Sequence, residues 1–291
     1  MANAHLSRFC RIDHGKHFRL KDYDPSDTGK WNSKEEAEEK LAQDIALLEE
    51  LQDKLYAQDF WSVLLIFQGM DAAGKDGTIK HVMSGVNPQG VQVHSFKEPS
   101  STELQHDFLW RTTVALPERG HIGIFNRSYY EEVLIVRVHT ELLKNELLPP
   151  SLVTKNIWEE RYEDIRNFEQ HMTRNGTVIR KFFLHSSKKE QKKRFLERLD
   201  EPGKNWKFSA SDIHERKYWD DYQGAYEETI RNTATRHAPW YVIPADHKWF
   251  AHLAVASALV ETLEGLDLSY PKVSQAKRKE LAAVRKQLEK Q

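Results

Sequence analysis

The sequence has little of several features that would assign it to a particular class of protein. Cys10 is the only cysteine in 291 residues, which excludes an internal disulfide framework and a cysteine-based zinc site. No apolar run approaches the roughly 18 residues that a membrane-spanning helix needs, and the segment MANAHLSRFCRIDHGKHF contains no apolar signal-peptide core. We therefore expect a soluble, cytoplasmic protein without a membrane partner.

An excess of charge of one sign is also absent, because 43 basic residues face 44 acidic residues and the net charge is −1. No global field attracts polyanions, so any anion site must come from local clustering. This balance disfavours a general nucleic-acid-binding protein. Aromatic residues make up 11% of the chain, and that much ring area indicates a packed core or a ligand.

Short apolar runs alternate with helical patterns along the chain. Ser33 and Glu36 match a capping box that begins a helix through about residue 58, and the continuous apolar run 62–67 is typical of a strand buried on both faces. Further strands are predicted at 91–96, 121–125, 177–184 and 240–243, and further helices at about 102–116, 151–174, 187–200, 211–232 and 248–264. This alternation predicts an α/β fold with a central parallel sheet covered by helices.

No internal repeat, low-complexity linker or break in composition divides the chain. One domain with appendages is therefore favoured. We predict an N-terminal arm over 1–33, the domain itself over 34–268 and a C-terminal helical tail over 269–291.

The strongest motif follows the strand at 62–67. The segment GMDAAGKD, residues 69–76, matches the phosphate-loop pattern G-x-x-x-x-G-K-[ST] at every fixed position but the last. Gly69 and Gly74 permit a tight backbone whose N–H groups turn inward, and the helix that follows adds its positive end. Lys75 supplies a point charge between bound phosphates. The alternative is a strand–turn–helix with an accidental Gly-Lys pair, but the flanking strand and helix are those that the motif requires.

Two acidic residues distinguish this loop from the usual pattern. Asp76 stands where a serine or threonine hydroxyl would normally bind magnesium, and Asp71 lies inside the loop, where it would face the ligand phosphates. A carboxylate is unfavourable there unless a cation lies between it and the phosphates. Asp71 is therefore the first candidate for a metal ligand. The alternative is that Asp71 caps the loop through a side-chain to backbone hydrogen bond.

The strand at 121–125 is followed by Asn126 and Arg127, where an acidic magnesium ligand would complete a second phosphate-enzyme signature. Asn126 is a neutral oxygen ligand, so Asp71 would neutralise most of the metal's charge. Arg127 lies at the carboxyl end of a central strand, where ligands bind in such sheets, and its guanidinium can bind two phosphate oxygens at once. A structural arginine–carboxylate pair is the alternative role of Arg127.

The sequence resembles the family 2 polyphosphate kinases over residues 35–268. The resemblance is carried by stretches that occur in the same order, among them FQGMDAAGKDGTIKHVMSGVNPQG, IGIFNRSYYEEVLIVRVH, KNWKFSASDIHERKYWDDYQGAYEETI and APWYVIPADHKWF. It implies a P-loop kinase fold with a helical lid at about 201–216 and reversible phosphoryl exchange between inorganic polyphosphate and nucleotides. Asn126 and the sequence Tyr130–Glu131–Glu132 resemble the subgroup that uses both nucleoside monophosphates and diphosphates.

The resemblance also implies a cofactor and an assembly. The cofactor is Mg²⁺, with Mn²⁺ as a second candidate. The assembly is a homo-oligomer, a tetramer built from dimers, with the helices at 35–58 and 151–174 as candidate contact surfaces.

The predicted site combines the phosphate loop, the strand end and a basic helix with the lid. Asp71, Lys75 and Arg127 are the predicted catalytic residues, and Asp71 and Asn126 are the predicted metal ligands. Phosphate or nucleotide binding is predicted for Gly69, Ala72, Ala73, Gly74, Asp76, Gly77, Lys80, Lys97, Asn126 and Glu131. Polyphosphate binding is predicted for Lys188, Lys189, Lys192, Lys193, Arg194, Lys207 and Arg216. The alternative for the helical members of this last group is an ordinary solvated helix face.

Three functions are compatible with these motifs. The favoured one is Mg²⁺-dependent transfer of the terminal phosphoryl group of polyphosphate to AMP or ADP, with ATP as a product and guanine nucleotides as further acceptors. An ATP-dependent nucleoside monophosphate kinase would share the loop, the fold and the lid. A non-catalytic anion or RNA sensor would use the basic residues alone, but the near-zero net charge and the absence of aromatic–basic repeats disfavour it.

Overall fold

The computed structural model describes residues 3–291, apart from the side chains of residues 3–5, 7, 207 and 210. Its strands are β1 (Arg11–Ile12), β2 (Ser62–Gln68), β3 (Val91–Ser95), β4 (Ile122–Asn126), β5 (Thr177–His185) and β6 (Trp240–Pro244). They form one sheet in the spatial order β1-β6-β5-β2-β4-β3. β2 to β6 run parallel, whereas β1 pairs antiparallel with β6.

Helices lie on both faces of the sheet. They are α1 (Asn3–Cys10), α2 (Lys34–Gln58), α3 (Lys75–Val82), α4 (Trp110–Thr113), α5 (Glu131–Val138), α6 (Ile157–Arg174), α7 (Lys188–Asp200), α8 (Ala210–Glu215), α9 (Trp219–Thr233), α10 (Lys248–Glu264) and α11 (Gln275–Leu288). Among the described residues, no helix combines the length and the apolar character needed to cross a membrane.

β2 is the central strand, and all seven of its residues are buried. Its side chains alternate between two cores, as the period of a strand requires. Leu65 and Phe67 pack with α2, α3 and α10, whereas Leu64 and Ile66 pack with α5, α6 and α9. The carboxyl end of β2 is thereby fixed between two helical layers, and the segment that follows it opens at the edge of the sheet where parallel strands bind ligands.

The predicted α/β architecture with a helix-covered sheet is confirmed. The five predicted strands are present, and each of their predicted ends differs from the observed end by at most one residue. The sheet departs from a purely parallel one because the N-terminal arm adds β1 along β6. α1 also packs against α10, so the arm extends the core.

The single helix predicted over 102–116 is wrong. The chain forms a 3-10 turn at Glu103–Gln105 and the short helix α4 instead. Local side-chain bonds compete with a continuous helix here, because Asp107 accepts a hydrogen bond from the backbone N–H of Leu109, two residues away, at 2.9 Å. The helix predicted over 211–232 is also divided, by a 3-10 turn at Arg216–Tyr218.

A buried ion pair joins β5 to α6. The Nζ of Lys181 donates to the Oε2 of Glu169 at 2.7 Å, and both side chains are fully buried. Glu169 also accepts hydrogen bonds from the hydroxyls of Tyr129 and Tyr130, at 2.9 and 2.7 Å. These tyrosines follow Arg127 closely in the chain, so the buried network anchors the turn after β4.

We predict that Glu169→Gln lowers the free energy of unfolding by about 3 kcal/mol, because it leaves the Lys181 ammonium buried without its counter-ion. Urea unfolding followed by circular dichroism measures the loss. Glu163→Gln changes an exposed carboxylate on the same helix and should shift stability by less than about 0.5 kcal/mol. Equal effects of the two substitutions would contradict the prediction.

Candidate active site

The phosphate loop joins β2 to α3 in the tight conformation that its glycines predict. Gly74 adopts φ 107° immediately before α3, in the region that side chains disfavour. A Cβ at Gly69 would lie 3.0 Å from the carbonyl oxygen of Leu184, so the close approach of the loop to β5 requires glycine there. Ala72 also has a positive φ, 62°. The loop therefore holds a left-handed non-glycine residue, a strained conformation of the kind that clusters at functional sites.

Lys75 begins α3 and lies buried under the loop. Its Nζ donates to the carbonyl oxygen of Gly69 at 2.6 Å and contacts that of Met70 at 3.4 Å. Burial, reinforced by the nearby cation Arg127, lowers the pKa of Lys75 to about 8, although the carboxylate of Asp71 opposes the shift. The ammonium is thus held at the base of the loop. A polyanion bound there would raise the pKa of Lys75 again.

Arg127 lies directly after β4 in a left-handed conformation, with φ 64°. Its backbone N–H donates to the carbonyl oxygen of Phe67 at 2.9 Å, which ties it to the end of β2. Its Nη2 donates to the Oδ1 of Asp71 at 2.8 Å, and its Nη1 lies 3.7 Å from the Oε2 of Glu131. Glu131 and then Asp71 raise the pKa of Arg127 against the effect of burial. The arginine–carboxylate pair that the sequence left open is therefore present, and it is located inside the predicted site.

Three residues at the loop carry oxygen atoms that could bind a metal ion, namely Asp71, Asp76 and Asn126. Asp71 is about one-third exposed, and Asp76 is tied to the end of β4 because the Nδ2 of Asn126 donates to its Oδ1 at 2.7 Å. Within residues 3–291, the structure contains no group of three or more His, Cys, Asp or Glu side chains that could hold a metal by themselves. This donor set fits Mg²⁺, which commonly takes one or two carboxylates together with substrate phosphates.

Glu131, one of the residues predicted to bind phosphate or nucleotide, lines one of the two cavities described below. It begins α5 and accepts a hydrogen bond from the Nε2 of Gln68 at 2.8 Å, in addition to its proximity to Arg127. Gln68 is not among the predicted site residues, although it belongs to a stretch that carries the resemblance, because a glutamine at the end of a buried strand does not by itself indicate a role. The two contacts hold Glu131 against the carboxyl end of β2.

The basic helix α7 has two different sides. Lys188, Lys189, Lys192 and Lys193 are exposed, and none of them lines the cavities described below. The alternative of a solvated helix face is wrong for Arg194, because this residue is only 4% exposed and faces the loop. Its Nη1 donates to the carbonyl oxygens of Ala72 and Ala73, at 3.0 and 2.8 Å. Arg194 therefore holds the loop in place from the buried side of α7.

The remaining predicted cations lie in different surroundings. The Nη1 of Arg216 donates to the Oε1 of Gln191 at 2.6 Å, so this guanidinium is engaged with α7. Lys97 follows β3, and its carbonyl oxygen accepts a hydrogen bond from Arg111 at 2.7 Å. Lys80 is exposed on α3. The side chain of Lys207 lies outside the described residues.

Two cavities meet at the Asp71–Arg127 pair, and both are lined by Asp71, Lys97, Glu98 and Arg127. We name the two cavities after the substrates that are proposed for them below. The first, the donor cavity, has a volume of about 600 Å³ and contains the phosphate loop. Its remaining charged residues include Lys75, Arg194, Arg198, Lys204 and Lys248, and its cations outnumber its carboxylates. Arg198, Lys204 and Lys248 are not among the predicted binding residues, although Arg198 belongs to the basic helix and Lys204 and Lys248 lie in stretches that carry the resemblance. The fold brings them together from α7, the 3-10 turn that follows it and α10.

The acceptor cavity, on the other side of the pair, has a volume of about 680 Å³. Carboxylates outnumber cations there, and apolar and aromatic side chains contribute much of the wall. Among its residues are Leu104, Phe108, Glu132, Leu134, Glu146 and Tyr222. Burial and the neighbouring Glu132 raise the pKa of Glu146 to about 8. The predicted site residues in this wall are Gly69, Asp71, Lys97, Arg127 and Glu131, whereas its other residues come from segments without a shared motif and could not be predicted from the sequence.

The comparisons with known proteins agree with this geometry. Residues 31–270 match the family model for polyphosphate kinase 2. The chain is 57% identical over 282 residues to the ADP-polyphosphate phosphotransferase of Rhodopseudomonas palustris, covering 94% of this chain and 98% of that protein. It is 48% identical over 270 residues to the AMP/ADP-polyphosphate phosphotransferase of Meiothermus ruber, covering 92% and 97%.

A solved structure supports the same conclusion. The crystal structure of polyphosphate kinase 2 from Arthrobacter aurescens TC1 matches this chain with a TM-score of 0.87 and 41% identity, covering 96% of each chain. The P-loop kinase fold implied by the resemblance is thereby confirmed. The chain is an enzyme that belongs to the polyphosphate kinase 2 family.

Proposed function

We propose that the chain transfers terminal phosphoryl groups from inorganic polyphosphate to AMP and ADP, and that the transfer is reversible. The observation that carries this proposal is the pair of cavities of opposite charge that meet at Asp71 and Arg127. A donor chain on one side and an acceptor on the other would bring their reacting oxygens to the same two side chains. Two relatives, an ADP-polyphosphate and an AMP/ADP-polyphosphate phosphotransferase, support the choice of substrates.

The donor cavity suits an extended polyanion. Its phosphate loop can hold the terminal phosphates, and the cations Arg198, Lys204 and Lys248 extend along the same wall. A row of cations matches a polymer of repeated phosphates better than a single deep pocket does. Arg198 also lies 3.7 Å from Asp212 of the lid, so donor binding and the lid share a contact.

The acceptor cavity suits a nucleoside with a short phosphate chain. Its volume lies within the range of ordinary ligand pockets, roughly 300–1,000 Å³. Apolar residues such as Leu104 and Phe108 offer a surface for a base, whereas buried carboxyl groups such as Glu132 offer acceptors for its amino groups. Nothing in this wall requires adenine, so GMP and GDP are included among the proposed acceptors.

The proposed chemistry relies on position and charge. Lys75 and Arg127 would stabilise the charge that develops on the transferred group, without a covalent phospho-enzyme. Asp71 and Asn126 would hold Mg²⁺, or Mn²⁺ as the second candidate, and the ion would neutralise the phosphate oxygens when bound. The ion pair between Asp71 and Arg127, at 2.8 Å, would keep the metal ligand next to the cation that contacts the transferred group.

We also propose a cytoplasmic location and a homo-oligomer, a tetramer of dimers. The apolar stripe of α2, including Leu48 and Leu55, is buried within the chain. α6 likewise buries Tyr162 and Ile165. A partner would therefore meet the outer, polar faces of these helices.

The central test is ATP formation from ADP and polyphosphate of defined length with no other nucleoside triphosphate present. The proposal expects ATP, and it expects ADP when AMP replaces ADP. GMP and GDP in parallel reactions give the base preference. An ATP-dependent nucleoside monophosphate kinase would instead require added ATP, and phosphorylation only under that condition would refute the proposal.

We predict that Asp71→Asn lowers turnover at least about a hundredfold while the protein stays folded, because the neutral amide weakens the metal site and the pair with Arg127. Asp53→Asn, an exposed change on α2, serves as the matched control and should leave turnover unchanged. Initial rates at saturating Mg²⁺ measure both. Near-normal turnover of Asp71→Asn would remove Asp71 from the metal site.

We predict an alkaline limb in kcat/KM for polyphosphate. Because the pKa of Lys75 is lowered to about 8, the free enzyme loses this ammonium as the pH rises through that value, and kcat/KM should fall. Bound phosphates raise the pKa of Lys75 again, so the limb in kcat should lie at higher pH. In Lys75→Arg, whose guanidinium stays charged, the limb near pH 8 should disappear even though activity is lower. Its persistence there would assign the limb to another group.

We predict that Lys204→Ala combined with Lys248→Ala raises the KM for long polyphosphate at least about fivefold and reduces its dependence on salt. The two residues line the donor cavity. Lys192→Ala with Lys193→Ala tests the exposed row of α7 in the same assay and should have the smaller effect. Lys279→Ala with Lys286→Ala, on α11, is the charge-matched control. A larger effect of the Lys192 and Lys193 pair would place the polymer along the exposed side of α7.

A further inference from the structure

Gln191 lies on the buried side of α7 and contacts both the phosphate loop and the lid. Its side chain is 1% exposed. Its Nε2 donates to the backbone carbonyl oxygen of Asp71 at 3.0 Å, and its Oε1 accepts from the Nη1 of Arg216 at 2.6 Å. A carbonyl oxygen only accepts and a guanidinium only donates, so both partners fix the same orientation of the amide.

The lid is docked on α7 through several contacts, and the one made by Arg216 continues to the loop. The Nδ2 of Asn205 donates to the carbonyl oxygens of Arg198 and Leu199, at 2.7 and 2.8 Å. Arg198 also faces Asp212 at 3.7 Å. These contacts join the lid to the carboxyl half of α7, whereas the bond from Arg216 reaches Gln191 and, through its amide, Asp71.

The loop is held by its carbonyl groups on the α7 side. Gln191 and Arg194 are three residues apart on one helix face, and together they bind the carbonyl oxygens of Asp71, Ala72 and Ala73. The side chain of Asp71 meanwhile accepts a hydrogen bond from Arg127 at 2.8 Å. The direction of that carboxylate depends on its own backbone, which Gln191 holds directly.

We propose that Gln191 is a positioning residue that couples docking of the lid to the placement of Asp71. This inference rests on the proposed function. While Arg216 holds the Oε1 of the amide, the opposite end of the same rigid group points its N–H at the carbonyl oxygen of Asp71. When the lid leaves, the amide loses the partner that orients it, and the carboxylate of Asp71 is less well aligned for transfer. The site would thus be complete only with the lid in place.

The test uses the full-length chain and four variants. Gln191→Met keeps the length of the side chain but makes neither bond. Gln191→Glu still accepts from Arg216 but cannot donate to Asp71. Arg216→Met removes the hydrogen bond between the lid and Gln191. Arg216 is more exposed than Gln191, so this substitution should not impair folding. The fourth variant combines Gln191→Met with Arg216→Met, and Gln170→Met and Lys217→Met are exposed controls.

We expect kcat to fall at least about tenfold in each single variant at Gln191 and in Arg216→Met, with the KM for polyphosphate changed less than about threefold. The double variant should be no slower than Gln191→Met alone. Both substitutions interrupt the same hydrogen-bonded link from Arg216 through Gln191 to Asp71, so the second has nothing further to break. The controls should match the unmodified protein. A residue that only supports the fold would lower the melting temperature without this split between kcat and KM.

Three results would overturn the proposal: a kcat within twofold of the unmodified protein for Gln191→Met, the same for Gln191→Glu, or losses that multiply in the double variant. Failure of the unmodified protein to form ATP from ADP and polyphosphate would overturn the proposed function instead. The two failures are therefore distinguishable in one set of assays.

Discussion

The ion pair between Asp71 and Arg127 is the contact on which the rest of the site depends. It joins the loop after β2 to the residue after β4, and these strands are neighbours in the sheet. Both side chains are about one-third exposed, so their mutual attraction is screened and contributes little to stability. The location of the pair indicates a role in binding rather than in stability, because Asp71 and Arg127 line both cavities. Separating Asp71 from Arg127 should therefore cost little free energy. Substrate phosphates could bind Arg127, and a cation could bind Asp71, in place of the ion pair.

This arrangement constrains the backbone around the pair. Arg127, whose guanidinium reaches Asp71 in the loop after the neighbouring strand, adopts a left-handed conformation, and so does Ala72 inside the loop. Such conformations persist only where the surroundings hold them. The buried Tyr129–Tyr130–Glu169–Lys181 network holds the turn after β4, and α7 holds the loop through its carbonyl groups. The buried network and α7 thus hold the left-handed backbone of Arg127 and Ala72 in place.

Much of the fold and the centre of the site could be predicted from the sequence because those features are local. The continuous apolar run that became β2, and the loop after it, each depend on residues close in the chain, and so does the Asn126–Arg127 strand end. What could not be predicted depends on tertiary contacts. Helical periodicity places Arg194 beside exposed lysines, but only the packing of α7 against the loop shows that it faces inward. Gln191 carries no motif, and the acidic wall around Glu132 and Glu146 comes from separate segments.

The near-zero net charge has a physical meaning once the cavities are known. Cations are concentrated along the donor cavity and carboxylates along the acceptor cavity, so opposite local fields exist within a chain whose total charge is −1. A long polyanion is attracted to the first and repelled by the second, where each additional phosphate would meet further carboxylates. In the proposed binding mode, an acceptor with one or two phosphates would meet this repulsion only at its phosphate end, beside Arg127 and Lys97. The acidic wall would then disfavour polyphosphate in the acceptor cavity, and it would separate two phosphate-bearing substrates that a uniformly basic cleft would not distinguish.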